Sequence, residues 1–390
     1  MGPGLTMLLA FAGGAVVANL YYAQPLLTQI SAALGISPAA AGFAMTVMQI
    51  GYGVGLLLVV PLGDRFENRR LIVTAFAILA AGLLAAGLAA NAAMFLTAAL
   101  VIGISASVAQ IIVPFASHLV RADSGGRALG TVMAGLLLGM MVARPLSSIV
   151  ADSFGWRAIF LLSAAMIAAL AVALLRLVPM RRPPEGFRYR DLLPSLKKLF
   201  LSYPLLRRRA LIQFFLFSAF TVFWTVVPML LAGPAYGYTQ RGIALFALIG
   251  VTGAAAAPFV GWAADRGFGR ATALGALLLA ILSFLFCFYA EMGTTAALLL
   301  LVFAGVLLDC GVATSLTLSQ RAILALGTAA RSRLNGLFFA IFYSGGAVGS
   351  AVGAWAYVVG GWTLSCIIGA AMCGAALLLH LTGTAKPEGH

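Results

Sequence analysis

The sequence predicts an all-α membrane protein: twelve transmembrane helices in two pseudo-symmetric six-helix bundles. Three observations carry that prediction. Of 390 residues, 63% are hydrophobic and only 9% charged, and the mean hydropathy is +1.07, whereas a water-soluble domain carries about a quarter charged residues. The apolar residues fall into twelve runs, each near the roughly 20 residues that a helix needs to cross a bilayer. The second half of the chain also repeats the first at a nearly constant offset.

Charge clusters or Gly, Pro and Asn punctuation separate the runs, which lie at about 6–33, 38–62, 71–90, 94–119, 128–151, 157–179, 210–232, 240–263, 271–290, 295–322, 334–358 and 362–382. No Lys or Arg precedes the first run, so it lacks the charged head of a secretory signal and is expected to stay as a membrane helix. Lys and Arg set the orientation, because cytoplasmic loops retain them. All of the 24 except Arg144, Arg157 and Arg241 fall in the even-numbered loops, the central connection or the C-terminal tail. Both termini are therefore expected in the cytoplasm, as in a bacterial inner-membrane protein.

The repeat is read residue by residue. Arg127-Ala-Leu-Gly130 returns as Arg333-Leu-Asn-Gly336, Gly139 as Gly345, and Gly155-Trp156 as Gly361-Trp362. Asp64-Arg65 returns as Asp265-Arg266, and Pro25 as Pro228. The predicted organisation is an N-terminal bundle over 1–179, a cytoplasmic basic linker over 180–209 and a C-terminal bundle over 210–390. Leu192, Leu196, Leu199 and Phe200 recur at helical spacing beside Lys197 and Lys198. Within the linker they describe either a short helix lying on anionic membrane lipids or a solvated basic connection.

Segment 62–71 reads Leu62-Gly-Asp64-Arg65-Phe-Glu67-Asn-Arg69-Arg70-Leu71, and its counterpart reads Gly261-Trp-Ala-Ala-Asp265-Arg266-Gly-Phe-Gly269-Arg270. This resembles the loop signature G-x-x-x-D-R-x-G-R-R of the major facilitator superfamily, with Val60 and Glu67 standing where the first copy would have glycine. With twelve spans and two repeats, the resemblance covers the whole chain. It implies a secondary transporter working by alternating access, with Asp64, Arg65, Arg69, Arg70, Asp265, Arg266 and Arg270 at a cytoplasmic gate. Physically, Asp64 and Asp265 suit the partly positive helix starts near Arg333 and Arg127. Each such contact is worth about 0.3–2 kcal/mol, against about 5.5 kcal/mol needed to swing a two-state equilibrium fully. The latch therefore biases the alternation without driving it.

Two charges lie inside spans. Asp309 is the one acid placed near mid-span, and an intramembrane carboxyl is a functional-site hypothesis by default. It is the expected proton-coupling group. Arg144 is the one base inside a span, and its guanidinium needs an anionic partner, which could be Asp309 across the interface, an acidic substrate, or water at the outer surface. In the first span, Asn19 and Tyr22 share one helical face while Tyr21 and Gln24 share nearly the opposite one, at about 100° per residue. The family's cavity-lining helices add Gln110, Trp224, Thr225 and Thr314, giving Asn19, Tyr22, Gln110, Arg144, Trp224, Thr225 and Thr314 as expected substrate contacts.

Other function classes lose their support. The four cysteines form no CxxC pair, the three histidines are scattered, and no phosphate-binding glycine loop occurs, so neither metal, nucleotide nor other cofactor is expected. The basic residues cluster between apolar runs, which argues against nucleic acid. No paired carboxylates or His-centred cluster supports an intramembrane enzyme. The expected activity is proton-coupled efflux of a small organic solute by a monomer embedded in lipid, resembling bacterial drug and sugar efflux permeases. The alternative is import or uniport of a small organic anion held by Arg144.

Overall fold

A computed structural model describes residues 2–119, 125–180, 192–251, 268–326 and 331–382. Its elements in chain order are α1 (Pro3–Ala18), α2 (Leu27–Leu34), α3 (Phe43–Leu58), α4 (Asn68–Gly87), α5 (Ala92–Ala106), α6 (Ala109–Leu119), α7 (Gly125–Phe154), α8 (Trp156–Leu177), α9 (Leu192–Ser202), α10 (Pro204–Ala232), α11 (Gln240–Ala247), α12 (Gly269–Cys287), α13 (Thr295–Leu324) and α14 (Arg331–Leu381). The described residues form helices and turns only.

Among the described residues, nine helical stretches are long and apolar enough to cross a membrane, and Pro3–Ala18 and Gln240–Gly250 are shorter apolar ones. One of the nine, Arg333–Leu381, spans 49 residues, more than one crossing takes. It divides at Gly360 and Gly361, the second with φ +66°, a conformation that glycine adopts without steric cost. Each of the twelve expected runs thus contains a described helix, although the eighth continues into 252–267, outside the described residues.

Local chemistry sets the breaks. α1 ends at Ala18, and Pro25, which has no N–H to give, sits near the start of the 3-10 turn Gln24–Leu26 that precedes α2. Asn19 occupies the break, its Nδ2 donating to the Ala15 carbonyl at 2.7 Å. Helix starts carry side-chain caps: Glu67 accepts from the amides of Arg69 and Arg70, Asn91 from Met94, and Thr294 from Ala297. Glu67, the departure from the signature glycine, therefore starts α4.

One boundary shifts. The linker was expected to run to 209, but α10 already begins at Pro204, so Arg207, Arg208 and Arg209 belong to that helix. Arg208 donates to the carbonyls of Leu379, at 3.0 Å, and His380, tying its cation to the last turn of α14, where the helix dipole is negative. α9 is present with Leu192 and Leu196 buried and Leu193 and Leu201 exposed.

Glycine lets backbones meet at equivalent places in the two repeats. A Cβ on Gly139 would stand 2.1 Å from the Gly14 carbonyl of α1, and one on Gly345 would stand 2.2 Å from the Phe214 carbonyl of α10. These are small-residue contacts of the kind that drive helix association in lipid. One buried apolar cluster is built mainly from α1–α8 and a second from α10–α14, with Phe217, Phe338, Phe342 and Tyr343 of the second half joining the first cluster.

Two helix pairs join the halves. α3 packs along α14: Thr46 Oγ1 lies 3.0 Å from both the Ala347 carbonyl and Ser350 Oγ, a Cβ on Gly42 would collide with the Ser350 carbonyl, and Gly336 faces the Leu56 carbonyl. α7 packs against α11, where Arg241 Nε donates to Asp152 Oδ2 at 2.6 Å. Arg241 was expected on the outer side; the acid that meets it had not been singled out.

Candidate functional site: a charged crevice in the seam

Arg144 lies on α7 one residue before Pro145 and is only 4% exposed. Its Nε donates to Gln24 Oε1 at 2.8 Å, so the 3-10 turn that contains Pro25 places the partner of the cation. Three aromatic rings enclose the guanidinium. Its central carbon is 4.5 Å from the Trp224 ring centroid, 5.0 Å from Tyr21 and 5.3 Å from Phe220. A desolvated cation gains about 2 kcal/mol or more from such a face, with tryptophan the best donor of π density.

Trp224 also turns its indole N–H to the other charge, donating to Asp309 Oδ1 at 3.0 Å. Asp309, on α13, is 4% exposed. Gly250, in the turn after α11, closes the group: a Cβ there would stand 3.3 Å from Asp309 Oδ2, 3.4 Å from Arg144 Nη1 and 3.5 Å from Trp224. The first half supplies Gln24, Tyr21 and Arg144, and the second supplies Phe220, Trp224, Gly250 and Asp309. With both residues ionised the crevice is formally neutral; one proton or one small ion changes its charge.

Several polar atoms here have no hydrogen-bond partner. Arg144 Nη2, Gln24 Nε2, Thr225 Oγ1 and Ser148 Oγ are buried and unpartnered. An unsatisfied buried donor costs about 1–3 kcal/mol, more when charged, so Arg144 Nη2 and Gln24 Nε2 are the atoms of this group that an added acceptor would satisfy.

Of the expected substrate contacts, Arg144 and Trp224 meet here with Asp309, the expected proton carrier. Thr225 is fully buried beside Trp224, and Thr314 is buried on α13, one turn and a residue beyond Asp309. Asn19 and Tyr22 lie away from Arg144: Asn19 Oδ1 accepts from Ser163 of α8 at 2.7 Å, and Tyr22 is buried. The opposite pair, Tyr21 and Gln24, reaches Arg144. Gln110 also lies apart, its Nε2 donating to the Tyr52 hydroxyl at 3.3 Å. Tyr52 lies 4.4 Å from Tyr343 between ring centroids, and the Tyr343 hydroxyl is within bonding reach of Tyr21. A buried tyrosine cluster thus connects Gln110 to the ring beneath Arg144.

Of the described residues expected at the gate, Arg65, Arg69 and Arg70 make their contacts within the first half. Arg69 Nη1 donates to the carbonyls of Leu175 and Val178, at 3.3 and 3.4 Å, capping the end of α8. Arg70 pairs with Glu67 at 3.8 Å, and Arg65 lies over the Phe66 ring. Arg270 is exposed at the start of α12. The backbone turn Val60–Asp64 rests against α14, while the Asp64 side chain, Asp265 and Arg266 lie outside the described residues.

Sequence reasoning missed Gln24, Tyr21, Phe220 and Gly250 as members of the crevice. The signal for the first two was present, since they form the second polar face of the first span. Phe220 and Gly250 carry no signal within an apolar run.

An all-helical chain with nine described stretches able to cross a membrane and a buried Arg144–Trp224–Asp309 group among them fits a class, the multi-pass membrane transporters. The chain belongs to the Major Facilitator Superfamily, whose profile matches residues 9–323 and 209–390. It is 38% identical over 389 residues to "Uncharacterized transporter YgaY" of Escherichia coli O157:H7, covering 100% of this chain and 98% of the relative. It is 33% identical to "Probable transporter SCO4007" of Streptomyces coelicolor, covering 97% and 86%. A "Chloramphenicol resistance protein" of Pseudomonas aeruginosa is 31% identical over 242 residues, 59% of this chain and 54% of that one. Among solved structures, a D-xylose-proton symporter superposes with a TM-score of 0.77 at 16% identity, over 99% of this chain and 98% of the other. The chain is thus a transporter of small molecules and not an enzyme.

Proposed function

We propose that this transporter is proton-coupled and works by alternating access, with Asp309 as the proton carrier and the crevice around Arg144 as the solute site. The observation that carries the reading is the placement of the two lone intramembrane charges on opposite halves, both buried, with Trp224 between them. Adding a proton to Asp309 removes the anion facing Arg144 and changes what holds the halves together. In the proposed setting both termini are cytoplasmic, the functional unit is a monomer in the bacterial inner membrane, and Asp64 and Asp265 latch the cytoplasmic side. Thr225 and Thr314 line the solute path.

The proposed direction is export, supported by the efflux-permease resemblance and by the relative named for chloramphenicol resistance. Export by antiport requires proton and solute to exclude one another. A second reading, import or uniport of an organic anion, is favoured by the unpartnered Arg144 Nη2; with a proton moving alongside, anion and proton would occupy the crevice together. The test is solute flux in proteoliposomes under an imposed pH gradient, with affinity measured across pH. Proton-coupled export predicts gradient-driven uphill flux and an affinity that falls on acidification. An affinity that rises on acidification would establish the second reading, and flux indifferent to the gradient would overturn proton coupling.

A further inference from the structure

We infer that the crevice contains a seat for a monocarboxylate, formed by Arg144 and Gln24 together. This deepens the second reading of the proposed function, in which anion and proton occupy the site together, and rests on the seam being the solute path.

The argument begins with two donors. Arg144 Nη2 and Gln24 Nε2 both lack an acceptor, and their residues are 4% and 1% exposed. They are not independent loose ends. Because Arg144 Nε donates to Gln24 at 2.8 Å, the glutamine atom facing it must be the carbonyl oxygen, which leaves the amide nitrogen as the free group. One hydrogen bond therefore fixes a guanidinium and an amide side by side, each with N–H groups to spare. A carboxylate, with two acceptor oxygens in one plane, satisfies such a pair, and guanidinium forks suit it best.

Charge restricts the ligand further. Among the described residues, Arg144 is the one cation at this site and Asp309 the one anion. A monoanion on Arg144 leaves a single excess negative charge, which one proton on Asp309 cancels. A phosphate dianion would leave a charge that nothing described in the crevice neutralises, at a depth where uncompensated charge is costly. The faces of Tyr21, Phe220 and Trp224 are taken up by the guanidinium itself, which leaves the edge of the cation, where Nη2 lies, for the carboxylate.

The test uses the purified full-length protein in detergent, with benzoate as probe and benzamide as its neutral counterpart, read by thermal shift and by tryptophan fluorescence. Benzoate is expected to bind saturably and at least tenfold more tightly than benzamide. Gln24→Leu should weaken benzoate at least fivefold and leave benzamide unchanged. Arg144→Lys, which keeps the charge and loses the fork, should weaken benzoate more. Gln24→Glu supplies the carboxylate from the chain itself, so it should raise the midpoint of the unliganded protein and abolish the benzoate response, an outcome that damage to the fold would not give. Equal binding of benzoate and benzamide, no benzoate binding, or wild-type benzoate affinity in Gln24→Leu and Arg144→Lys would each overturn the seat. Binding is measured without a gradient, so flux that stays proton-coupled in Asp309→Asn with benzoate binding intact would defeat the coupling reading alone.

Discussion

Trp224 holds both charges of the crevice, offering its face to Arg144 and its N–H to Asp309. These two roles separate by mutation. Trp224→Phe keeps an aromatic face and deletes the donor, leaving Asp309 Oδ1 without its bond, a loss of about 1–3 kcal/mol for a buried group. The expected result is a lower unfolding midpoint in detergent and a displaced pH profile of flux; a variant identical to wild type in both would contradict the bridging role. The sequence makes Arg144 and Asp309 legible at this scale because a lone charge in an apolar run has no bland explanation. Tyr21 and Gln24 were legible only as one of two polar faces. Choosing between the faces needed the turn after Ala18, where the helical phase on which the choice depended is interrupted.

Backbone contacts decide the packing of whole helices. Gly139 meets α1 and Gly345 meets α10 at equivalent points of the two repeats, each with a carbonyl where its Cβ would be. Gly139→Val and Gly345→Val should therefore abolish or severely reduce folded protein, read by size-exclusion chromatography after detergent extraction. Gly275, on α12, has nothing within 4 Å of a Cβ, so Gly275→Ala should be neutral or stabilising by up to about 1 kcal/mol. Normal yield from both valine variants would contradict this account of the packing. The repeated glycines and the apolar runs were readable because length, hydropathy and spacing are properties of the chain itself. The start of α10 at Pro204 was not, because Arg207–Arg209 look like linker until Arg208 is seen capping the end of α14, a partner 171 residues away.

At the scale of the whole molecule, the seam is closed on the expected outer side by two devices of different strength. The α3–α14 pair is a glycine- and hydroxyl-lined backbone contact around Gly42, Thr46 and Ser350. The Asp152–Arg241 pair between α7 and α11 is a single ion pair whose arginine side chain is 74% exposed. Such a pair contributes about 0–1 kcal/mol and is screened by salt. Arg241→Ala should shift the resting equilibrium toward the outward-open form by no more than about fivefold, since about 1.4 kcal/mol corresponds to a tenfold change. The shift should shrink as salt is raised, and accessibility labelling of Ser148→Cys from the outer face measures it. Full conversion to one form would mean that the ion pair, rather than the backbone contact, holds the outer side shut. The repeat itself was legible in the sequence, whereas Asp152 was hidden because nothing in the sequence joins it to a helix start 89 residues later.

The central claim is that protonation of Asp309 biases the movement of one half against the other. Spin labels at Phe154 of α7 and Leu245 of α11, both exposed and on opposite halves, report that movement as a distance. The account predicts two distance populations whose ratio shifts with pH in the otherwise native chain and is fixed in Asp309→Asn. A single distance at every pH, or a pH-dependent ratio that Asp309→Asn leaves unchanged, would contradict it.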